Sequence, residues 1–168
     1  MNLKIKYREG FRPFAPMVTI EDVSEYFAYD GASPYMLLVE QVKKERQMAY
    51  PPGYETKSIL DKLYFLRSDI PAVTHIDYSA RLQTVHRETN PRLWKLLQAF
   101  KKQTGYSVLI NTSFNVRGEP IVNSPEDAYR CFMRTGMDYL VIGDYVFDKN
   151  KQPAWLEKST WKEEYIID

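Results

Sequence analysis

The 168-residue sequence predicts an α/β fold of the α+β kind, a twisted mixed β-sheet flanked by helices. Three observations lead there. Short runs with strand character recur along the chain, two segments carry complete helix start and stop signals, and the two kinds of segment alternate. The length fits one compact unit and leaves no room for two full catalytic domains. With 44% hydrophobic and 27% charged residues and no internal repeat, the composition is that of an ordinary folded protein.

Taken in order, residues 3–8 (Leu-Lys-Ile-Lys-Tyr-Arg) alternate with period 2 and read as a short strand. Leu3, Ile5 and Tyr7 share one face and Lys4, Lys6 and Arg8 the other. Pro13 and Pro16 break any helix over 11–18 and point to an extended edge segment. Thr19 and Asp22 have the spacing of a helix start, for a short helix through Phe27. Residues 36–42 read as a buried strand. Residues 43–70 form an excursion with a turn at Pro51-Pro52-Gly53 and a helix, marked by Ile59, Leu63 and Leu66, that covers part of the core.

Residues 72–77 and 81–86 are candidate strands about a turn at Asp77-Tyr78-Ser79. Asn90-Pro91 opens a helix with an N-cap and a proline at the first position. Leu93, Leu96, Leu97 and Phe100 give it an apolar stripe, and Thr104-Gly105 ends it. A short strand over 107–111 runs into the polar stretch 112–115. A second helix starts at Ser124-Pro125-Glu126-Asp127 and stops near Gly136, and residues 139–142 and 145–148 make a tight hairpin around Gly143-Asp144. Residues 150–168, which include Trp155, Trp161 and Tyr165, read as a C-terminal extension, either wrapped on a neighbouring surface or loosely attached.

Charge and cysteine content exclude several function classes. Lys and Arg number 23 against 22 Asp and Glu, so no chain-wide basic field exists, which argues against nucleic acid and anionic membranes as partners. The single cysteine, Cys131, excludes an internal disulfide, Cys-rich zinc frameworks and an intrachain dithiol pair, and a reducing, cytoplasmic setting is expected. Apolar runs reach about five residues, well short of the ~20 that span a bilayer. Lys4, Lys6, Arg8 and Glu9 interrupt any signal-peptide core.

Conventional catalytic patterns are sparse. His75 and His86 lack metal-ligand spacing, Cys131 falls within a helical pattern as a core residue, and no phosphate-cradling glycine loop occurs. What stands out is local charge. Within residues 1–12, Lys4, Lys6, Arg8 and Arg12 against Glu9 leave a net charge of +3. Guanidinium groups grip phosphate oxygens bidentately and a lysine adds a point charge, which suits a di- or triphosphate. A solvated edge strand whose lysines discourage aggregation fits the same spacing. The second element is Asn111-Thr112-Ser113-Phe114-Asn115, at the end of a predicted strand, where short hydroxyl and amide groups can bind phosphate or carbamoyl oxygens.

At these segments the sequence resembles the C-terminal, YrdC-like domain of NodU/TobZ-type O-carbamoyltransferases, over residues 1–149. The resemblance rests on residues 5–16 (Ile-Lys-Tyr-Arg-Glu-Gly-Phe-Arg-Pro-Phe-Ala-Pro), 75–85 (His-Ile-Asp-Tyr-Ser-Ala-Arg-Leu-Gln-Thr-Val), 111–115 and 118–122 (Gly-Glu-Pro-Ile-Val). Residues 138–143 (Asp-Tyr-Leu-Val-Ile-Gly) also fit.

The resemblance implies a YrdC-like sheet whose Lys-x-Arg and Ser-x-Asn pairs meet around nucleotide phosphates, here Lys6, Arg8, Ser113 and Asn115. It places Arg12 and Arg81 around carbamoyl phosphate and the adenylate, with Asn111 and Thr112 in the same binding set and Lys6, Arg12 and Arg81 as the catalytic cations. It further implies ATP with Mg²⁺ and carbamoyl phosphate as ligands, carbamoyl adenylate and pyrophosphate as products, and transfer to a hydroxyl acceptor by a separate N-terminal domain with an Fe²⁺-type, histidine-bound metal.

Two departures shape the expectation. Tyr78 stands where the family usually has glycine. The family's Gly-Pro-Arg and Arg-Ser-Ile-Leu segments do not precede Leu3, so the domain is expected to be N-terminally incomplete, with an upstream transferase chain or a homo-oligomer as partner. A non-catalytic nucleotide- or polyphosphate-binding module, and more remotely an RNA-binding relative, are the competing readings.

Overall fold

The computed structural model describes residues 1–156; the expected packing of Trp161 and Tyr165 lies outside them. The chain divides into two compact units, a sheet unit of Pro13–Thr112 and a terminal unit of Met1–Arg12 with the described residues from Ser113 onward. The α/β class expected from the sequence is what the chain adopts: a four-stranded mixed sheet with helices, and a separate two-stranded antiparallel sheet.

The sheet unit comprises β1 (Ala15–Thr19), α1 (Val23–Tyr26), β2 (Leu38–Gln41), α2 (Ile59–Tyr64), β3 (Ser79–Val85), α3 (Pro91–Thr104) and β4 (Val108–Asn111), with strand order β2-β3-β1-β4. Strand β1 runs parallel to β3, with Met17 opposite Gln83, and antiparallel to β4, with Met17 opposite Leu109. It is therefore an interior strand, not the edge its prolines suggested. Pairing with β3 begins at Met17, so Pro16, which has no N–H to donate, lies ahead of the parallel ladder. Val18, Tyr26, Phe27, Val42, Ala80 and Leu82 form the buried core beside it.

Three further expectations need correction in this unit. The apolar run at 36–42 forms the outer strand β2 instead of a buried one, with Leu37 80% and Val39 57% exposed and only Val42 fully covered. Residues 72–77 make no strand. Pro71–Val73 is a single 3₁₀ turn, and the Thr74 hydroxyl lies 2.7 Å from Ser68 Oγ and donates to the Ile70 carbonyl at 3.0 Å, so local bonds replace a ladder. Helix α2 is capped by Ser58, which accepts from the Asp61 amide at 3.1 Å, but Ile59 and Leu66 are exposed and cover nothing.

Helix α3 follows its sequence signals. The Asn90 side chain accepts from the Leu93 amide at 3.2 Å, and Gly105, at φ +82°, donates back to Lys101. The helix is tied to the α1 region through Lys101, whose ammonium lies 2.7 Å from Asp22 Oδ1 and 3.2 Å from Glu25 Oε1. Thr19 donates its hydroxyl to Asp22 at 3.0 Å instead of capping a backbone amide. Burial raises the Asp22 pKa, but the hydrogen bonds from Lys101 and Thr19 outweigh it and hold the carboxyl below its usual range.

In the terminal unit, α4 (Pro125–Arg134) starts with Ser124 accepting from the Asp127 amide at 3.1 Å. The hairpin of β5 (Tyr139–Ile142) and β6 (Tyr145–Asp148) turns at Gly143, φ +58°, as expected. Ala128, Phe132 and Leu140 form one small core, and Val116 with Cys131 another.

The opening segment differs from the strand expected over 3–8. Asn2–Lys6 is one wide π-type helical turn that ends in a left-handed Tyr7, φ +49°. A lone period-2 run becomes a strand only with a neighbour to pair with. Here the Lys4 carbonyl accepts from Gly136 N at 2.9 Å and the Lys6 carbonyl from Arg117 N at 3.2 Å. A Cβ at Gly136 would stand 3.1 Å from the Lys4 carbonyl oxygen, so glycine permits this approach where α4 ends.

Candidate functional site

The π-type turn changes how the basic residues are presented. Lys6 is its last residue and is buried, and the left-handed turn at Tyr7 carries the chain on to Arg8. The Lys6 ammonium donates to the Ser113 carbonyl at 2.7 Å, to Asn115 Oδ1 at 2.7 Å and to Ser113 Oγ at 3.2 Å. All three acceptors are neutral. Burial, and next the charge of Arg8, pull the Lys6 pKa below that of an ordinary lysine.

The acceptor side is equally ordered. Ser113 Oγ donates to Asn115 Oδ1 at 2.8 Å, and the Asn115 amide donates to the Glu119 carbonyl at 2.8 Å. The Val116 amide donates to Glu119 Oε2 at 2.7 Å, closing a turn in which Gly118 has φ +81°. On the cationic side, Arg8 Nε donates to Asn2 Oδ1 at 2.8 Å. The buried Asn2 amide donates onward to the Arg12 carbonyl at 2.7 Å, which fixes the path between the two arginines.

Lys6, Arg8, Arg12, Ser113 and Asn115 thus border one open cavity of about 180 Å³, also lined by Glu9, Val116, Arg117 and Gly118. Among the described residues that line it, four cations face one carboxylate, a net charge of +3. Arg12 and Arg117 both reach Glu9, at 3.0 and 3.7 Å. The Glu9 pKa is lowered by its own backbone amide and by Arg12, Arg117 and Arg8.

Arg117 was not among the residues singled out from the sequence. Its signal was its place two residues after Asn115, in the loop already selected for its polar side chains. Asn2 carried no signal, because a buried asparagine that links two arginine segments looks like any N-terminal polar residue.

The other three candidates belong to the sheet unit. Arg81 is exposed on β3, opposite Val39 of β2. Asn111 ends β4 opposite Ala15, and its amide donates to Gln83 Oε1 and lies 3.5 Å from Met36 Sδ; Thr112 follows it, half-buried. The turn before Arg81 holds Tyr78 at φ +65°, a left-handed conformation that glycine adopts without strain. Tyr78 secures it by donating its hydroxyl to the Met48 carbonyl at 2.8 Å.

The remaining reactive side chains are held by local partners. His75 Nδ1 lies 3.0 Å from Ser79 Oγ, and His86 Nε2 3.1 Å from Thr84 Oγ1. Cys131 is buried, and burial with the nearby Glu119 pushes its thiol up to about 12, far from the thiolate a nucleophile requires. Among the described residues no three His, Cys, Asp or Glu side chains converge as a metal site, and no helix is long and apolar enough to cross a membrane.

An ordered lysine on neutral oxygens, surrounded by arginines, can bind a polyanion and neutralise charge that develops on it. The sequence model described as Carbamoyltransferase C-terminus matches residues 1–149, the span that contains every residue of this cavity. The chain belongs to the carbamoyltransferase C-terminus family. It is 56% identical over its whole length to an uncharacterized protein of Synechocystis, of which it covers 27%. It is 39% identical over 94% of its length to the nodulation protein NolO of Bradyrhizobium diazoefficiens, covering 25% of that protein. It is 36% identical over 84% of its length to a 3'-hydroxymethylcephem-O-carbamoyltransferase of Amycolatopsis lactamdurans, covering 23% of it. This carbamoyltransferase C-terminal chain therefore spans about a quarter of the length of these relatives.

Proposed function

We propose that this carbamoyltransferase C-terminal chain activates a carbamoyl group: it uses carbamoyl phosphate and Mg²⁺-ATP to form carbamoyl adenylate, which an O-carbamoyl transfer to a hydroxyl acceptor then consumes. The observation that carries the reading is the Lys6 ammonium, buried and bonded only to neutral oxygens at the centre of a cluster with net charge +3. A family relative named as an O-carbamoyltransferase supports the class of reaction.

In this reading water cleaves carbamoyl phosphate to carbamate and phosphate. A carbamate oxygen then attacks the α-phosphorus of ATP, a new P–O bond forms, and the bond to the β-phosphate oxygen breaks with its electron pair leaving on pyrophosphate. Carbamate is already an anion, so the step needs in-line placement and charge neutralisation, not a strong protein base.

Lys6, Arg8 and Arg12 neutralise the triphosphate, and Lys6 and Arg12 follow the charge as it moves on to the leaving pyrophosphate. Ser113 and Asn115 fix Lys6 and orient phosphate oxygens. An arriving phosphate oxygen takes over one of the three acceptor positions on the Lys6 ammonium and exchanges a neutral hydrogen bond for a charge-assisted one. Mg²⁺ enters with the nucleotide as part of the substrate. The roles of Arg81, Asn111 and Thr112 toward carbamoyl phosphate rest on the family resemblance alone. The described residues offer no set of ligands for an Fe²⁺-type ion.

Carbamoyl-phosphate-dependent exchange of labelled pyrophosphate into ATP by the purified chain is the expected result. Binding of ATP without exchange would replace this reading with that of a nucleotide- or polyphosphate-binding module.

A further inference from the structure

We infer that Arg117 is a further binding residue for the pyrophosphate portion of the substrate, and that Glu9 is a resident counter-anion which holds Arg12 and Arg117 and gives way when pyrophosphate binds. The inference rests on the polyphosphate reading of the cavity and adds to it a residue and a device.

The two oxygens of Glu9 face different guanidinium groups, Oε2 toward Arg12 at 3.0 Å and Oε1 toward Arg117 at 3.7 Å. A bridging phosphate would offer two guanidinium groups the same pair of oxygens. Among the described residues that line the cavity, Glu9 is the one carboxylate and the other charged groups are cations. The backbone holds Arg117 in place, since its amide donates to the carbonyl of Lys6, the lysine at the centre of the cluster. Arg12 and Arg117 are about half exposed, so their pairs with Glu9 exchange readily with a competing anion. A monovalent carboxylate gives each arginine half a partner, whereas pyrophosphate brings several charges and enough oxygens for Arg12, Arg117 and Lys6 together.

The test is calorimetric titration of inorganic pyrophosphate into the purified full chain. Arg117→Gln is expected to weaken binding about tenfold, the loss of a charge-assisted contact. Arg117→Lys, which keeps the charge but not the planar fork, is expected to recover only part of it. Glu9→Gln is expected to tighten binding several-fold. Lys151→Gln removes an equal charge in the same unit, at a side chain 81% exposed, and is expected to change nothing.

An Arg117→Gln variant indistinguishable from Lys151→Gln would overturn the inference, as would an Arg117→Lys variant equal to wild type or weaker binding in Glu9→Gln. In each of those cases wild-type binding of pyrophosphate leaves the polyphosphate reading standing. A wild-type chain that binds no pyrophosphate removes both.

Discussion

Two lysines in this chain are treated in opposite ways. In the sheet unit, Lys101 reaches two carboxylates, Asp22 at 2.7 Å and Glu25 at 3.2 Å, and the bond to Asp22 raises its pKa despite some burial. In the terminal unit, Lys6 is the more buried and has three neutral acceptors, and burial lowers its pKa. Lys101 is neutralised and joins α3 to the α1 region. Lys6 is ordered by neutral acceptors, an arrangement that costs stability in the absence of an anion.

The contrast can be broken by exchanging each lysine for methionine. Lys6→Met is expected to lower pyrophosphate affinity and exchange by about a hundredfold, since it removes several charge-assisted contacts at once. Its folding free energy is expected to stay within about 1 kcal/mol of wild type, because a buried charge is replaced by an apolar chain of similar length. Lys101→Met should do the reverse. It leaves Asp22 buried beside Thr19 without its cation and is expected to cost about 1–3 kcal/mol in urea unfolding, with pyrophosphate binding unchanged.

pH sharpens the same comparison. Lys6 has a folded-state pKa below 10.5, so its burial cost is present at neutral pH and is relieved as pH rises through that lowered value. Pyrophosphate affinity should fall in the same window, before ordinary lysines titrate. The Lys101 contribution has the opposite sign: it is fully present below 10.5 and is lost only as pH rises through the raised folded value. Asp22, with its pKa lowered, supports the fold above the usual carboxylate range and ceases to as pH falls through its folded value. Calorimetry and urea unfolding across alkaline pH would separate the two lysines. The smallest effect is expected from Ser113→Ala: Lys6 keeps the Ser113 carbonyl and Asn115 Oδ1, so affinity should drop only a few-fold.

The sequence exposed most of what local chemistry decides. The caps at Asn90 and Ser124 and the turn at Gly143 lie where their residues indicated, because each is built from neighbours in the chain. Positions that depend on distant partners were hidden. Pro16 reads as an edge residue although its strand β1 lies between β3 and β4, and the 36–42 run reads as core although β2 is the outer strand. At the site, the meeting of Lys6 with Ser113 and Asn115 came from the resemblance, since residues more than a hundred positions apart carry no local signal of contact. The π-type turn was illegible because Leu3, Ile5 and Tyr7 alternate with their basic neighbours as a strand would, and only the contacts with Gly136 and Arg117 show what the segment does instead.

We propose that Lys6 is held ready for a polyphosphate while Lys101 serves the fold. The most direct measurement is carbamoyl-phosphate-dependent exchange of labelled pyrophosphate into ATP, run side by side on wild type, Lys6→Met and Lys101→Met at a temperature where all three are folded. Exchange is expected in wild type and Lys101→Met, with a drop of about a hundredfold in Lys6→Met. Exchange at the wild-type rate in Lys6→Met would contradict it.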